Sequence, residues 1–287
     1  MTVRRVTTSA SGDSDSPARG AAEQARGGAS AEADPRCCTS VLDCVIDALT
    51  FEQTVALVDG LIRAGKPAQA FLVNADTLLR VRDDDRLRAI VSRCVPVCAD
   101  GQSVVWAARL LGKRLPGRVA GPDLFDALLA LAVREAYSVY LLGAKPGIAE
   151  EAARKVVALH PGLKIVGTHH GYFDLEDVAV VDAVRRAHPD ILFVGMPSPR
   201  KEYWVSENLD RLGVPFTLGV GGTFDVVAGV RTRAPMWMQR AGLEWVCRLC
   251  QEPRRMWRRY LVGNARFVAL VVREFYERQR DRVSSSG

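Results

Sequence analysis

From about Ser40 onward, short runs of β-branched and aliphatic residues alternate with longer stretches whose apolar positions recur every three to four residues. The short runs read as strands: AFLV (70–73), VPVC (95–98), SVYLLG (138–143), KIVG (164–167), DILFVG (190–195) and PFTLGV (215–220). Between them, DTLLRVRDDDRLRAIVSR, GQSVVWAARLLG, GPDLFDALLALAVREA, GIAEEAARKVVALH, EDVAVVDAVRRAH and PRKEYWVSENLDRLG carry apolar residues at helical spacing. That alternation predicts βαβ units, and so an α/β fold with a mostly parallel, Rossmann-like sheet and helices on both faces. After Pro235 the strand pattern stops, and two or three amphipathic helices follow, interrupted at Pro253 and near Gly263 and Asn264. The predicted organisation is a disordered tail over 1–38, an α/β domain over 39–234, and a basic, amphipathic helical C-terminal appendage over 235–287.

Composition refines this picture in four places. At 287 residues and 48% hydrophobic, the chain can bury a sizeable core. Its first 35 residues are rich in Ser, Ala, Gly and Asp and hold no apolar stretch of the signal-peptide kind, so disorder is expected there. The longest apolar run, FVALVV (267–272), falls far short of the ~20 residues that cross a bilayer. Seven cysteines, an odd number without a regular framework, suit a reducing compartment.

Charge is unevenly placed. Residues 231–260 hold eight arginines against Glu244 and Glu252, which equals the whole formal excess of +6. A localised basic patch suits phosphates, whether of nucleic acid, lipid headgroup or diphosphate substrate; its bland reading is a solvated face. Within it Arg248, Arg255 and Arg258 are seven and three residues apart, a spacing that shares one helical face, although Pro253 between them bends the row. Trp237, Trp245 and Trp257 lie in the same segment, and tryptophan beside arginine is the composition of a helix at a lipid headgroup interface.

In open parallel sheets, ligands bind outside the carboxyl ends of the strands. Residues at those ends include Asn74, Asp100, Gly143 to Gly147, His169 to Phe173, Gly195 to Lys201, and Gly219 to Asp225. Asp100 ends a strand and precedes a helix, so it reads either as a general base for a substrate hydroxyl or as a helix N-cap. In LLGAKPGIAEEAA, Gly143 and Lys145 stand before a helix start, where free backbone N–H groups favour a phosphate. In GVGGTFD, Gly221 and Gly222 let backbone approach a ligand while Asp225 can bond a ribose hydroxyl. The GxGxxG fingerprint of a dinucleotide site is absent. Asp83, Asp84 and Asp85 read as a solvated helix start, Cys247 and Cys250 as packing residues, and the four histidines lack ligand spacing, so no metal site is expected.

Taken in order, NAD (74–76), ADGQSVVWAARLLG, RVAGPDL, LLGAKPGIAEEAA, GYF, ILFVGMPSPRKEYW, GVGGTFDVVAG, RAPMWMQRAGLEWVCRL and QEPRRMWRRYLVGN resemble the WecG/TagA/CpsF family of bacterial glycosyltransferases over about residues 41–274. The resemblance implies an inverting, metal-independent enzyme without cofactor. It would move a sugar from a UDP-sugar to a polyprenyl-diphosphate-linked sugar in surface-polymer synthesis. The implied location is cytoplasmic, peripheral to the inner face of the plasma membrane; a homo-oligomer is among the assemblies allowed, and nucleic acid is not an expected partner. Carried over by motif, Asp100 is the general base, Asn74 orients acceptor or base, Asp225 holds the nucleotide, and Tyr172 stacks on uracil. Lys201, Lys145 and the glycines at 143, 221 and 222 line the substrate, while Arg248, Arg255 and Arg258 meet phosphate charge. Two positions depart from the family pattern: Lys201 stands where a glutamine is usual, and Leu72 where the TagA branch has threonine. The donor sugar is therefore not fixed by resemblance. The rival classes are another nucleotide-sugar or NAD(P)-dependent enzyme on the same sheet, and a non-catalytic binder of anionic lipid or nucleic acid.

Overall fold

The computed structural model describes residues 38–284; the expected disordered tail lies, but for Cys38, outside them. All six apolar runs form strands of one parallel sheet, in the order β4-β3-β8-β7-β5-β6. These are β3 (Ala68–Val73), β4 (Val97–Ala99), β5 (Ser138–Gly143), β6 (Lys164–His169), β7 (Ile191–Gly195) and β8 (Phe216–Gly219). The central strand β7 is buried at every residue, as continuous apolar runs require when helices cover both faces.

Alternate side chains of each strand feed opposite layers. Val139, Leu141, Ile191 and Phe193 pack under α1 (Phe51–Ala64), α5 (Gly121–Glu135), α6 (Ile148–Leu159) and α9 (Thr223–Val227). Tyr140, Leu142, Leu192 and Val194 pack under α7 (Val178–Ala187) and α8 (Arg200–Leu212). At the β4 end of the sheet, α2 (Ala75–Asp83), α3 (Asp85–Val91) and α4 (Gln102–Leu110) enclose a third apolar cluster.

Three local features depart from the sequence reading. A hairpin, β1 (Cys38–Val41) with β2 (Cys44–Asp47), precedes the sheet. Its turn places Leu42 at φ 48° and Asp43 at φ 65°, a geometry usually signalled by Asn or Gly. Leu42 is buried in the core, which offsets the backbone cost, and Asp47 accepts a hydrogen bond from the Val97 N–H at 2.7 Å, tying the hairpin to edge strand β4. Helix α1 carries a capping box, Thr50 with Gln53, and ends at Gly65 in the left-handed region. The stretch expected as one helix over 76–93 breaks at Asp84, whose carboxylate accepts from the Leu87 N–H and starts α3. The three consecutive aspartates form the solvated helix start expected, Asp85 being exposed, and each also has a partner: Asp83 with Arg266, Asp84 with Leu87 and Tyr203, and Asp85 with Arg88.

Beyond Pro235 the chain forms α10 (Met236–Arg240), α11 (Glu244–Gln251), α12 (Pro253–Trp257), a π-helical turn (Arg258–Val262) and α13 (Gly263–Ser284). Pro253 does mark a break, since it opens α12. Gly263 does not: its φ of −65° and ψ of −46° are helical, and α13 runs on from it. Phe267 and Val271 of α13 are buried in the cluster with α2 and the hairpin. Glu274 accepts from the Leu42 N–H and pairs with Lys113 at 2.8 Å, and Arg266 grips Asp83 at 2.5 and 2.6 Å. The last helix of the expected appendage is therefore part of the core.

Candidate functional site

The polar cluster with most structure around it lies where β3 and β4 end side by side. Asn74 follows β3 and caps α2: its Oδ1 accepts from the Thr77 N–H at 3.1 Å, and its own N–H donates to Thr77 Oγ1 at 2.8 Å. Its side-chain NH2 has no partner among the described residues. Asp100 follows β4, and its backbone N–H donates to the Val73 carbonyl at 2.8 Å, which fixes the two strand ends together. A Cβ on Gly101 would sit 3.2 Å from Asn74, so the two loops touch.

The N-cap alternative for Asp100 fails in a specific way. Gly101 is the N-cap of α4, with no side-chain bond to that helix. Asp100 Oδ1 instead accepts from the Gly121 N–H at 2.8 Å, the first residue of α5. One carboxylate oxygen is thereby held by a neighbouring helix N-terminus. The other has no hydrogen-bond partner among the described residues. Leu72 packs here as well: a Cβ on Gly121 would lie 2.8 Å from its Cδ1.

Residues from beyond Pro235 reach this rim from both sides. At the Asp100 side, Arg118 pairs with Glu244 of α11 at 3.0 Å, and the 118–120 segment is anchored by a Val119 N–H to Ala99 carbonyl bond. At the β8 side, Arg231 lies between Asp225, at 3.7 Å, and Glu252, with which it forms an ion pair. Gln251 donates to the Thr232 carbonyl at 3.0 Å. Helix α11 thus spans the rim from β4 to β8. Arg248 lies on it, exposed and without an ion pair among the described residues. Arg258 is exposed too, its guanidinium 5.3 Å from the Trp257 ring centroid. The Arg255 side chain falls outside the described ones.

The other sequence candidates are more dispersed. Tyr172 is 64% exposed, and its ring touches no described aromatic. Lys145 is exposed before α6, whose N-cap, Gly147, leaves that helix start without a side-chain cap. Gly143 serves packing: at φ 140° it lies so close to Gly195 that a Cβ would meet that backbone at 2.5 Å. Gly221 and Gly222 form the turn before Asp225, which is engaged by Arg231. Lys201 points inward, its stem filling the space a Gly219 side chain would take and its ammonium 2.5 Å from buried Glu202. Lys201, expected to contact substrate, is thus engaged here in an internal ion pair. Glu202 Oε2 and the Thr217 hydroxyl have no hydrogen-bond partner among the described residues and belong to residues that line the same small recess.

Sequence reasoning missed Arg118, Arg231 and the Gly121 N–H. A backbone donor leaves no residue-type signal, and the acid-free stretch 101–122 shows that any ion pair of Arg118 must be with an acid outside it without saying which. Among the described residues no group of three or more His, Cys, Asp and Glu converges as a metal ligand set, and no helix is long and apolar enough to cross a membrane.

Comparison with known proteins bears on this geometry. A glycosyl transferase WecG/TagA/CpsF family pattern matches residues 39–281. The chain is 36% identical over 165 residues to a Bacillus subtilis protein, covering 58% of this chain and 64% of that one. It is 33% identical over 169 residues to a Staphylococcus aureus protein, covering 59% and 66%. Against a Bacillus spizizenii protein it is 34% identical over 195 residues, covering 67% and 75%. All three relatives are named N-acetylglucosaminyldiphosphoundecaprenol N-acetyl-beta-D-mannosaminyltransferase. The chain spans just under two thirds of the length of the first two.

Proposed function

Since the chain belongs to the glycosyl transferase WecG/TagA/CpsF family, we propose that it transfers a sugar, with inversion, from a UDP-sugar to a hydroxyl of a polyprenyl-diphosphate-linked sugar. The acceptor named for its relatives, N-acetylglucosaminyl-diphosphoundecaprenol, is the first substrate to test, with an N-acetylmannosamine-like sugar, its uronic acid or another hexose as donor. The observation that supports this best is the divided state of Asp100 at the strand rim, one oxygen held by the Gly121 N–H and the other without a hydrogen-bond partner among the described residues.

The unbonded oxygen takes the acceptor proton as the acceptor oxygen attacks the anomeric carbon. The bond from that carbon to the diphosphate breaks, and UDP leaves with the electron pair. Asn74, locked by its capping box, offers its free NH2 to the acceptor. Negative charge developing on UDP is met by Arg248, Arg255 and Arg258, so arginines replace the metal ion used for this purpose elsewhere. Asp225 takes the nucleotide when Arg231 shifts toward Glu252, and Tyr172, exposed on the neighbouring loop, stacks on the base. The exposed Trp237, Trp257 and Leu261 rest on the inner face of the plasma membrane, where the acceptor lipid is held. The product enters a surface polymer such as wall teichoic acid.

The test is product formation by the purified chain, given the lipid-linked acceptor and a panel of UDP-sugars, with UDP and NADH titrated alongside. UDP release that requires both the acceptor and one donor is the expected outcome. Binding of NADH in preference to UDP, with no turnover on any donor, would contradict the reading.

A further inference from the structure

A second amphipathic surface lies outside the C-terminal helices. Between Asp100 and Asp123 the chain has no acid, but it holds Arg109, Lys113, Arg114 and Arg118. Two of these cations are satisfied internally: Lys113 pairs with Glu274 and donates to the Ser40 carbonyl, and Arg118 pairs with Glu244. Arg109 and Arg114 are exposed and have no carboxylate partner among the described residues.

Beside them on α4, Trp106 is 52% and Leu110 49% exposed, one helical turn apart and so on one face. Arg109 and Arg114, with Ala48, Lys113, Leu115 and Pro116, line a recess of about 400 Å³ whose walls are mainly apolar. An unpaired guanidinium pair bordering an apolar floor, next to an exposed tryptophan and leucine, complements a surface that is anionic above and hydrocarbon below. A protein partner would have to bring acids and an apolar patch together at this spacing, whereas an anionic bilayer offers both everywhere. The face is also continuous with the exposed residues of α10. A Cβ on Gly242, in the turn after α10, would lie 3.2 Å from the Trp106 ring, and Met236 and Trp237 of α10 are 60% and 65% exposed.

We infer that the exposed face of α4 and the recess behind it form a contact with anionic bilayer lipid, with headgroup phosphate at Arg109 and Arg114 and the interfacial region at Trp106 and Leu110. The inference rests on the peripheral membrane reading above and extends it to a segment that begins at Asp100. Because α4 rises ~1.5 Å per residue from the candidate base, anchoring its far end fixes the height of Asp100 above the membrane. The face therefore presents the base to a lipid-held acceptor, in addition to adding affinity.

Co-sedimentation of the full chain with phosphatidylcholine vesicles, with and without phosphatidylglycerol, tests it. The double variant Arg109→Gln/Arg114→Gln should lose roughly thirty-fold in affinity for the phosphatidylglycerol vesicles, taking about a kcal/mol per basic residue at the surface. Leu110→Gln should weaken binding to both vesicle types. Both variants alter exposed side chains, and an unchanged thermal midpoint confirms that they fold. If the wild-type chain binds phosphatidylglycerol vesicles and the α4 variants match it while Trp237→Ser/Trp257→Ser binds less, the α4 inference is overturned and the peripheral reading stands. A wild-type chain that ignores both vesicle types overturns the two together.

Discussion

The two oxygens of Asp100 have different environments, and that asymmetry is the chemistry this chain can offer. The Gly121 N–H holds one oxygen in place, while the second has no hydrogen-bond partner among the described residues. Lys201 shows the opposite arrangement, an ammonium expected at the ligand but committed to Glu202 inside the fold. Burial also separates the cysteines, and it pushes the Cys98 thiol up to about 12. Iodoacetamide at about pH 8 should therefore modify exposed Cys38 and Cys250 in the native chain and spare Cys44, Cys94 and Cys98 until denaturant is added; native labelling of Cys98, read by peptide mass, would count against the packing described. At this scale the sequence was partly legible. Asn74 and Asp100 were visible because each ends an apolar strand run just before a helical pattern. The partner of Asp100 was not, because a backbone N–H carries no residue type, and neither was the bridging role of Arg231, because its acids lie at positions 225 and 252, on different elements.

Among the elements, the parallel strands were the easiest to read, since burial on both faces demands unbroken apolar runs. The β1–β2 hairpin was not, because positive φ falls on Leu42 and Asp43 and only tertiary burial of Leu42 makes that turn acceptable. The break at Asp84 was hidden by two further aspartates, any of which could cap a helix. Helix α13 carries the largest consequence. Its pattern is weakly amphipathic, yet Phe267 is 4% exposed within the cluster formed by α2 and the hairpin. Phe267→Ala should cost about 3 kcal/mol of stability, read by urea denaturation, in the range for large-to-small core changes. A change under about 0.5 kcal/mol, the size of an ordinary surface substitution, would mean that α13 is an appendage after all.

Across the whole molecule, the sheet order puts β3 and β4 at one side of the rim and β8 near its middle, and α11 joins them through Arg118–Glu244 and Arg231–Glu252. The basic segment that stood out in the sequence is thus divided: Arg231 and Arg233 are taken up in ion pairs with Glu252 and Asp123, while Arg248 and Arg258 are exposed without an ion pair among the described residues. Charge counting alone could not separate these two groups, because the ion pairs that consume Arg231 and Arg233 are set by tertiary placement. The same placement brings the turn after α10 against Trp106 of α4, and the proposed function has acceptor and donor meet at Asp100. The most direct measurement of that claim is the transfer rate of Asp100→Asn beside wild type, with UDP affinity and thermal midpoint measured on both. The account predicts a fall in kcat of roughly 10²–10⁴ with UDP binding and folding unchanged; an Asp100→Asn enzyme that transfers sugar at the wild-type rate would contradict it.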